Sequence, residues 1–458
     1  MTSPTPHSVP PLRVPDKGDL TQGSIRHHLI RLTLPMIWGI LAIISFQLVD
    51  TYYVSLLGTE QLAAFSYTFP VTYGIFSIFI GMGIATSSVV SRLIGEKQYE
   101  SVKRVTSHAM FIVLLLSILA ALIGIPFLSE LFGAMGADEN AIRLISSYMI
   151  PYFIGTFFVS MPVVGNAALR ATGDAMIPAG IMTVSAIANA ILDPLLIFGL
   201  GGFPRLELFG AAIATVISNF CAMGAGLYIM YRRGLFDFSH IINLHEFSNS
   251  CKRLLIIGLP AGLTSMLPSV VNSSINRLLS HDGDAAVAAF GAASRIEAFT
   301  LVIMMALSIG MAPIIGQNWG ARQFDRVRDT IKNALIFSVL WSAFVAVCLG
   351  LFASSIAELF SEDALLDHYI ILYLLIVPLS YPLGNLTHGW GSVYNAIGKP
   401  QISASLLFLK MIVLMIPAAT IGYTLYGVVG VFSALCVVNI VTGLGFHIWS
   451  WKKTGSIS

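Results

Sequence analysis

The chain has 458 residues, 56% of them hydrophobic and only 10% charged. Soluble globular proteins carry about 25% charged residues, and the mean hydropathy here is +0.82, which excludes a soluble enzyme, a nucleic-acid binder and a disordered scaffold. The net charge of +2 implies no acidic polymer as partner, and the scattered Cys221, Cys251, Cys348 and Cys436 form no CxxC pair, so neither a disulfide framework nor a metal site is expected.

The first 24 residues hold five prolines and no apolar run. They read as a disordered tail without the features of a signal peptide. Beyond them the chain is a succession of apolar runs, each near the roughly 20 residues that cross a bilayer as a helix. Twelve spans are expected, at 30–54, 62–90, 107–128, 141–164, 177–199, 209–231, 254–279, 286–314, 333–356, 367–389, 402–422 and 427–450. The runs are too long and too apolar for the alternating strands of an outer-membrane barrel. The fold class is therefore an all-α membrane protein.

Lys and Arg set the orientation, because cytoplasmic loops retain them. Of the 25 such residues, 20 fall on the terminal tails and every second loop, including Arg92, Lys97, Arg170, Arg232, Arg322 and Lys452. The opposite loops are acidic, with Glu130, Asp138 and Glu139 in one and Glu358, Glu362 and Asp363 in another. Both termini are expected in the cytoplasm.

A shift of 225 residues lays the second half on the first. Leu34-Pro35 meets Leu259-Pro260, Ala63-Ala64-Phe65 meets Ala288-Ala289-Phe290, and Gly95, Gln98 and Val102 meet Gly320, Gln323 and Val327. Farther on, Asp138 meets Asp363, Tyr148 meets Tyr373 and Gly173 meets Gly398. Six spans per half bring both halves into the membrane from one side, as parallel repeats about an axis along the membrane normal. The division expected is an N-lobe over 25–231, a cytoplasmic linker over 232–253, a C-lobe over 254–450 and a cytoplasmic tail over 451–458. Two six-helix bundles around a central cleft suit an alternating-access carrier. A channel more often builds its pore from several chains, and no nucleophile–base or metal constellation supports a membrane enzyme. No Gly-rich phosphate loop with GK[ST] is present, so the energy source expected is an ion gradient.

Ionisable groups at membrane depth cost about 2.5–3.5 kcal/mol each on insertion scales, so the few present are informative. Acidic residues inside spans, away from their first and last residues, are Asp50, Asp193 and Glu297. Asn189 and Asp193 are four apart and share one helix face, and Pro194 frees a carbonyl near the same turn. Two carboxylates in one desolvated pocket cannot both ionise cheaply, which points to a shared proton or a bound small cation. Asp50 and Asp193 meet Ile275 and Ala418 at the 225 offset, so this pair belongs to the first half alone. Tyr148 and Asn166 are candidates to complete the site. Glu297, two residues from Arg295, reads as a structural ion pair as readily as a transport group. His388 reads more readily as a packing residue than as a titrating one, and Asn272 with Asn276 forms a polar pair suited to a cleft or to helix contacts. The 17 Met and the aromatic residues permit a site for bulky organic cations.

These residues resemble those of the multidrug and toxic compound extrusion (MATE) transporters. The resemblance rests on Leu-Thr-Leu-Pro at 32–35, Gln-Leu-Val-Asp-Thr at 47–51, Gly-Asn-Ala-Ala-Leu-Arg-Ala-Thr-Gly-Asp at 165–174, Asn-Ala-Ile-Leu-Asp-Pro at 189–194 and Tyr-Asn-Ala-Ile-Gly-Lys-Pro at 394–400. It implies export of lipophilic, cationic drugs in exchange for protons, with sodium as the alternative ion, and no resident cofactor. It carries the family's N-lobe cation site onto Asp50, Asn189 and Asp193, with Tyr148, Asn166 and Thr215 around them. A first helix bending at Pro35 follows from the same resemblance. The seventh and tenth spans lack the carboxylates of the NorM-like branch and offer only Asn272, Asn276 and His388. That favours the DinF-like, proton-coupled branch, of the Vibrio type. A monomer in a bacterial inner membrane is expected, with small-molecule drugs and the lipid bilayer as partners and no nucleic acid. The rival carrier is a flippase for lipids or lipid-linked sugars.

Overall fold

The computed structural model describes residues 18–237, 239, 244–360 and 363–455. The first half contains α1 (Ile25–Ser55), α2 (Thr59–Gly95), α3 (Tyr99–Gly124), the short α4 (Leu128–Ala134), α5 (Glu139–Ala171), α6 (Met176–Phe198) and α7 (Glu207–Arg232). The second contains α8 (Leu244–Leu279), α9 (Asp284–Gly320), α10 (Phe324–Leu351), the short α11 (Ala353–Ala357), α12 (Ala364–Ile376) and α13 (Tyr381–Ala396). It closes with α14 (Pro400–Phe408), a π-helical stretch over Leu409–Met415 and α15 (Ile416–Gly455). A 3-10 turn over Val377–Ser380, opened by Pro378, joins α12 to α13 into one traverse.

Eleven stretches are long and apolar enough to cross a membrane. The last of them, Pro400–Thr454, contains two traverses, because the chain reverses at Tyr426 and at Gly427, whose φ of 58° and ψ of −139° suit only glycine. Residues 422 and 430 would lie ~12 Å apart along a helix. Instead a Cβ on Gly422 would collide with the Gly430 carbonyl oxygen. The twelve expected spans are therefore all present.

Large apolar side chains on these helices point outward, among them Trp38, Leu122, Ile154, Val184, Leu340 and Val437. Such surface suits lipid, where helices satisfy their own backbone hydrogen bonds.

The 225-residue repeat reappears in the backbone. Lys97 and Arg322 both adopt left-handed conformation, with φ of 60° and 58°, although a Cβ disfavours it. Gly173 and Gly398 match at 80° and 78°. Asp138 caps α5 by accepting from the Ala141 N–H, and Asp363 caps α12 by accepting from the Leu365 N–H.

The two bundles meet toward the ends that carry the termini. There α2 crosses α8 and α9 through glycines, since lipid supplies no hydrophobic force and close backbone contact takes its place. A Cβ on Gly81 would strike the Gly258 carbonyl, one on Gly95 the Gln317 carbonyl, and one on Gly320 the Arg92 carbonyl. Ser88 Oγ donates to the Asn395 carbonyl across the same seam at 2.5 Å.

Residues 18–24 differ from the expected disordered tail. Leu20 is fully buried, its N–H donates to Gln317 Oε1 at 3.0 Å, and its carbonyl accepts from Asn318 Nδ2 at 3.0 Å. Gln317 Nε2 also donates to the Ala171 carbonyl at 2.8 Å, so one side chain ties this segment to both bundles. The rest of the expected tail, 1–17, lies outside the described residues, as do 456–458 of the C-terminal tail and 238 and 240–243 of the linker. The described part of that linker is not free chain: Leu235 and Phe236 are buried, α8 begins at Leu244, and Arg104 pairs with Glu246 at 2.8 Å.

Candidate functional site

Asp50 sits near the end of α1, Asp193 near the end of α6, and Tyr148 in the third turn of α5. Because α1 and α6 run in the same direction and α5 runs against them, these three positions come together at the end of the first bundle farthest from the termini. Asp50 is 6% exposed, Asp193 0% and Asn189 1%, so the carboxylates are withdrawn from solvent. With its amide oriented to satisfy its neighbours, Asn189 donates to Asp193 Oδ2 at 2.9 Å. Its own oxygen accepts from the Thr215 N–H at 3.1 Å and from Thr215 Oγ1 at 3.3 Å. Tyr148 lies within electrostatic reach of both carboxylates. Its ring packs edge-on against Phe65 and stacks on Tyr152.

The remaining oxygens are unusual. Asp50 Oδ1 and Asp193 Oδ1 are both buried without a hydrogen-bond partner. Among the described residues no Lys or Arg forms an ion pair with either. Buried carboxylates are ordinarily paired or fully hydrogen-bonded. Carboxylates so placed, each with an unpartnered oxygen, are chemically able to accept a proton or a small cation.

Asn166 does not join them. It is on α5 eighteen residues after Tyr148, ~27 Å along the helix, and lines a separate pocket with Met110, Met161 and Met230. Pro35 is half-buried within an α1 that continues unbroken through it, leaving the Arg31 carbonyl without its i+4 donor.

The second bundle holds its own polar group. Tyr373 of α12 donates to Glu297 Oε2 of α9, and Lys410 of the π-helical stretch lies within electrostatic reach of Glu297. Arg295 is exposed and pairs with neither. His388, on α13, is exposed and also within reach of Lys410. Asn272 is exposed and Asn276 half-buried, and neither hydrogen-bonds into this group. Lys410 is not among the candidates that the sequence offers. It is 3% exposed and within electrostatic reach of Glu297, which makes it a member of this polar group.

The MatE family profile matches the chain twice, over residues 35–195 and 260–421. A protein of Shewanella oneidensis named as an FAD transporter is 37% identical over 439 residues, covering 94% of this chain and 96% of its own. The multidrug export protein MepA of Staphylococcus aureus is 28% identical, with 91% of each chain covered. The crystal structure of the Vibrio cholerae MATE transporter VcmN in the bent form superposes with a TM-score of 0.89 at 30% identity, covering 94% of this chain and 97% of that one. With two matched bundles, twelve traverses and buried carboxylates in one of them, this chain belongs to the MatE family: it is a multi-pass membrane transporter and not an enzyme.

Proposed function

We propose that the protein is a secondary active exporter of lipophilic, cationic drugs, driven by proton antiport across a bacterial inner membrane. Its lobes, 25–231 and 254–450, alternate about a central cleft, and both termini are cytoplasmic. It acts as a monomer. The observation that carries the reading is the buried Asp50–Asp193 pair with an unpartnered oxygen on each residue and no cation beside them. Two such charges in one desolvated pocket are stable only when a proton or cation neutralises one of them. The relatives named as multidrug proteins support the substrate class.

In the mechanism proposed, the lobes seal on the terminus-bearing side and the cleft opens to the outside. A proton entering from there neutralises Asp50 or Asp193. The Asn189–Asp193 hydrogen bond rearranges and α1 bends at Pro35. A cationic drug then loses its counter-charge and leaves, and the carrier returns with the proton. Thr215 holds Asn189 in register, and Tyr148 walls the pocket.

The test is reconstitution in liposomes, following ethidium under an imposed pH gradient without sodium, with wild type beside Asp50→Asn. Gradient-driven movement lost in the variant supports the reading. A requirement for sodium transfers the site to that ion, and movement surviving the substitution removes the aspartates from coupling.

A second reading, export of flavin nucleotides, is favoured by the relative named as an FAD transporter, which is 37% identical over 94% of this chain. FAD supplied in the same liposomes decides between the substrates.

A further inference from the structure

Tyr148 and Tyr373 are separated by the 225-residue repeat, and each stands against a buried acidic group of its own bundle. The span corresponding to α6, which carries Asn189 and Asp193, is the one formed by α14 and the π-helical stretch. On it, the second bundle carries Lys410. The two halves therefore offer equivalent pockets of different charge. One has two carboxylates and no ammonium, the other a carboxylate and an ammonium.

Lys410 does not behave as a simple counter-ion. Its ammonium has three donors. It makes one hydrogen bond, to the Gly384 carbonyl at 3.3 Å. Although Glu297 is within electrostatic reach, no ion pair within 4.0 Å joins them. The contrast with Arg233 and Asp174, closed at 2.7 Å with much less burial, is direct. A buried ammonium with spare donors is a receptor for an acceptor-rich group. The Tyr381 hydroxyl is buried in the same group, next to Glu297. The π-helical register is itself a departure found mostly at functional positions, and His388 lies within electrostatic reach of the Lys410 ammonium.

We propose that Lys410, with Tyr381 and His388 beside it, forms an anion-binding subsite of the C-lobe that takes the phosphate or carboxylate of an aromatic substrate. Glu297 serves as the resident counter-charge when the subsite is empty. The inference deepens the flavin-nucleotide reading above and rests on it for the choice of FAD as probe.

The experiment uses the full chain in liposomes and compares FAD, carboxyfluorescein and ethidium. Lys410→Gln is expected to lower the ratio of FAD to ethidium transport at least about tenfold, the loss of one charged hydrogen-bond partner, while Lys410→Arg largely preserves it. Because Lys410→Gln leaves Glu297 unbalanced, the double variant Glu297→Gln with Lys410→Met is run as well and is expected to show the same fall. An unchanged ratio in both variants overturns the proposal. So does a parallel loss of all three probes in the double variant, which makes Lys410 structural. Carboxyfluorescein carried in a Lys410-dependent way without FAD removes the flavin reading and leaves the subsite standing. No anion carried by wild type removes both.

Discussion

The Asn189 amide reaches Asp193 Oδ2 at 2.9 Å from one turn earlier on the same helix, while the second oxygen of Asp193 has no partner. One half of this carboxylate is fixed and the other is free. Asp193→Asn and Asp50→Asn each remove an ionisable oxygen while keeping the volume. Each is expected to cut gradient-driven transport in liposomes by about a hundredfold, the scale of a lost charged interaction, while circular dichroism stays that of the folded chain. Binding of a cationic drug, read by isothermal calorimetry, is expected to weaken in both, since each variant fixes the neutral state that releases the drug.

Asn189→Leu leaves the fixed oxygen of Asp193 without its partner and removes an acceptor of the Thr215 hydroxyl. Unsatisfied buried groups cost about 1–3 kcal/mol each. The expected outcome is a fall in melting temperature in detergent and a transport rate reduced about tenfold. Normal transport with lowered stability would confine Asn189 to a structural role.

The twelve traverses were legible because each apolar run is close to a bilayer's thickness, and the halves because one offset aligns Asp138 with Asp363 and Tyr148 with Tyr373. Span edges were less so. Helix α2 runs from Thr59 to Gly95, beyond the expected 62–90, since helices continue past the hydrocarbon and apolarity does not mark their ends. Asn166 was grouped with Asp50 for its carboxamide and by the family resemblance, although it falls just past the expected span 141–164. Depth along a helix is visible only once the helices are packed, and it separates them. Lys410 was passed over because its meaning depends on Glu297, more than a hundred residues away on another helix. Leu20 was assigned to a loose tail because its partner, Gln317, is nearly three hundred residues distant.

Gly320 lies against the Arg92 carbonyl so closely that a Cβ has no room, and the obstacle is backbone. Gly320→Ala is therefore expected to force α2 and α9 apart. Spin labels placed on the two helices are expected to report longer, broader distances than in wild type, a population shift of the kind that one or two kcal/mol produces. An unaltered distance distribution would show that the seam yields elsewhere.

Gln317 holds Leu20 from one bundle and Ala171 from the other, and each neutral hydrogen bond contributes about 0.5–1.5 kcal/mol. Gln317→Leu is expected to accelerate amide exchange over residues 18–23 by about tenfold or more, with the spans unchanged. Protection equal to wild type would assign the anchoring to Asn318 and Arg326 instead.

Pro35→Ala restores the donor that the Arg31 carbonyl lacks and stiffens α1 by roughly the 3 kcal/mol that separates Pro from Ala within a helix. Transport is expected to slow while binding of ethidium, read by fluorescence, is retained. A transport rate equal to wild type would remove the bend from the cycle.

The left-handed backbone shared by Lys97 and Arg322 carries a historical message. Neither residue is a glycine, so the same small strain stands in both halves of one chain, at the turn leading into the third helix of each. Independent origin of that turn on each side is the costlier account. A single ancestral segment already bent in this way, doubled end to end, gives both at once. Each six-span unit leaves the membrane on the face where it entered. That ancestor could therefore pair with its own copy side by side, as two separate polypeptides, before a linker made them one.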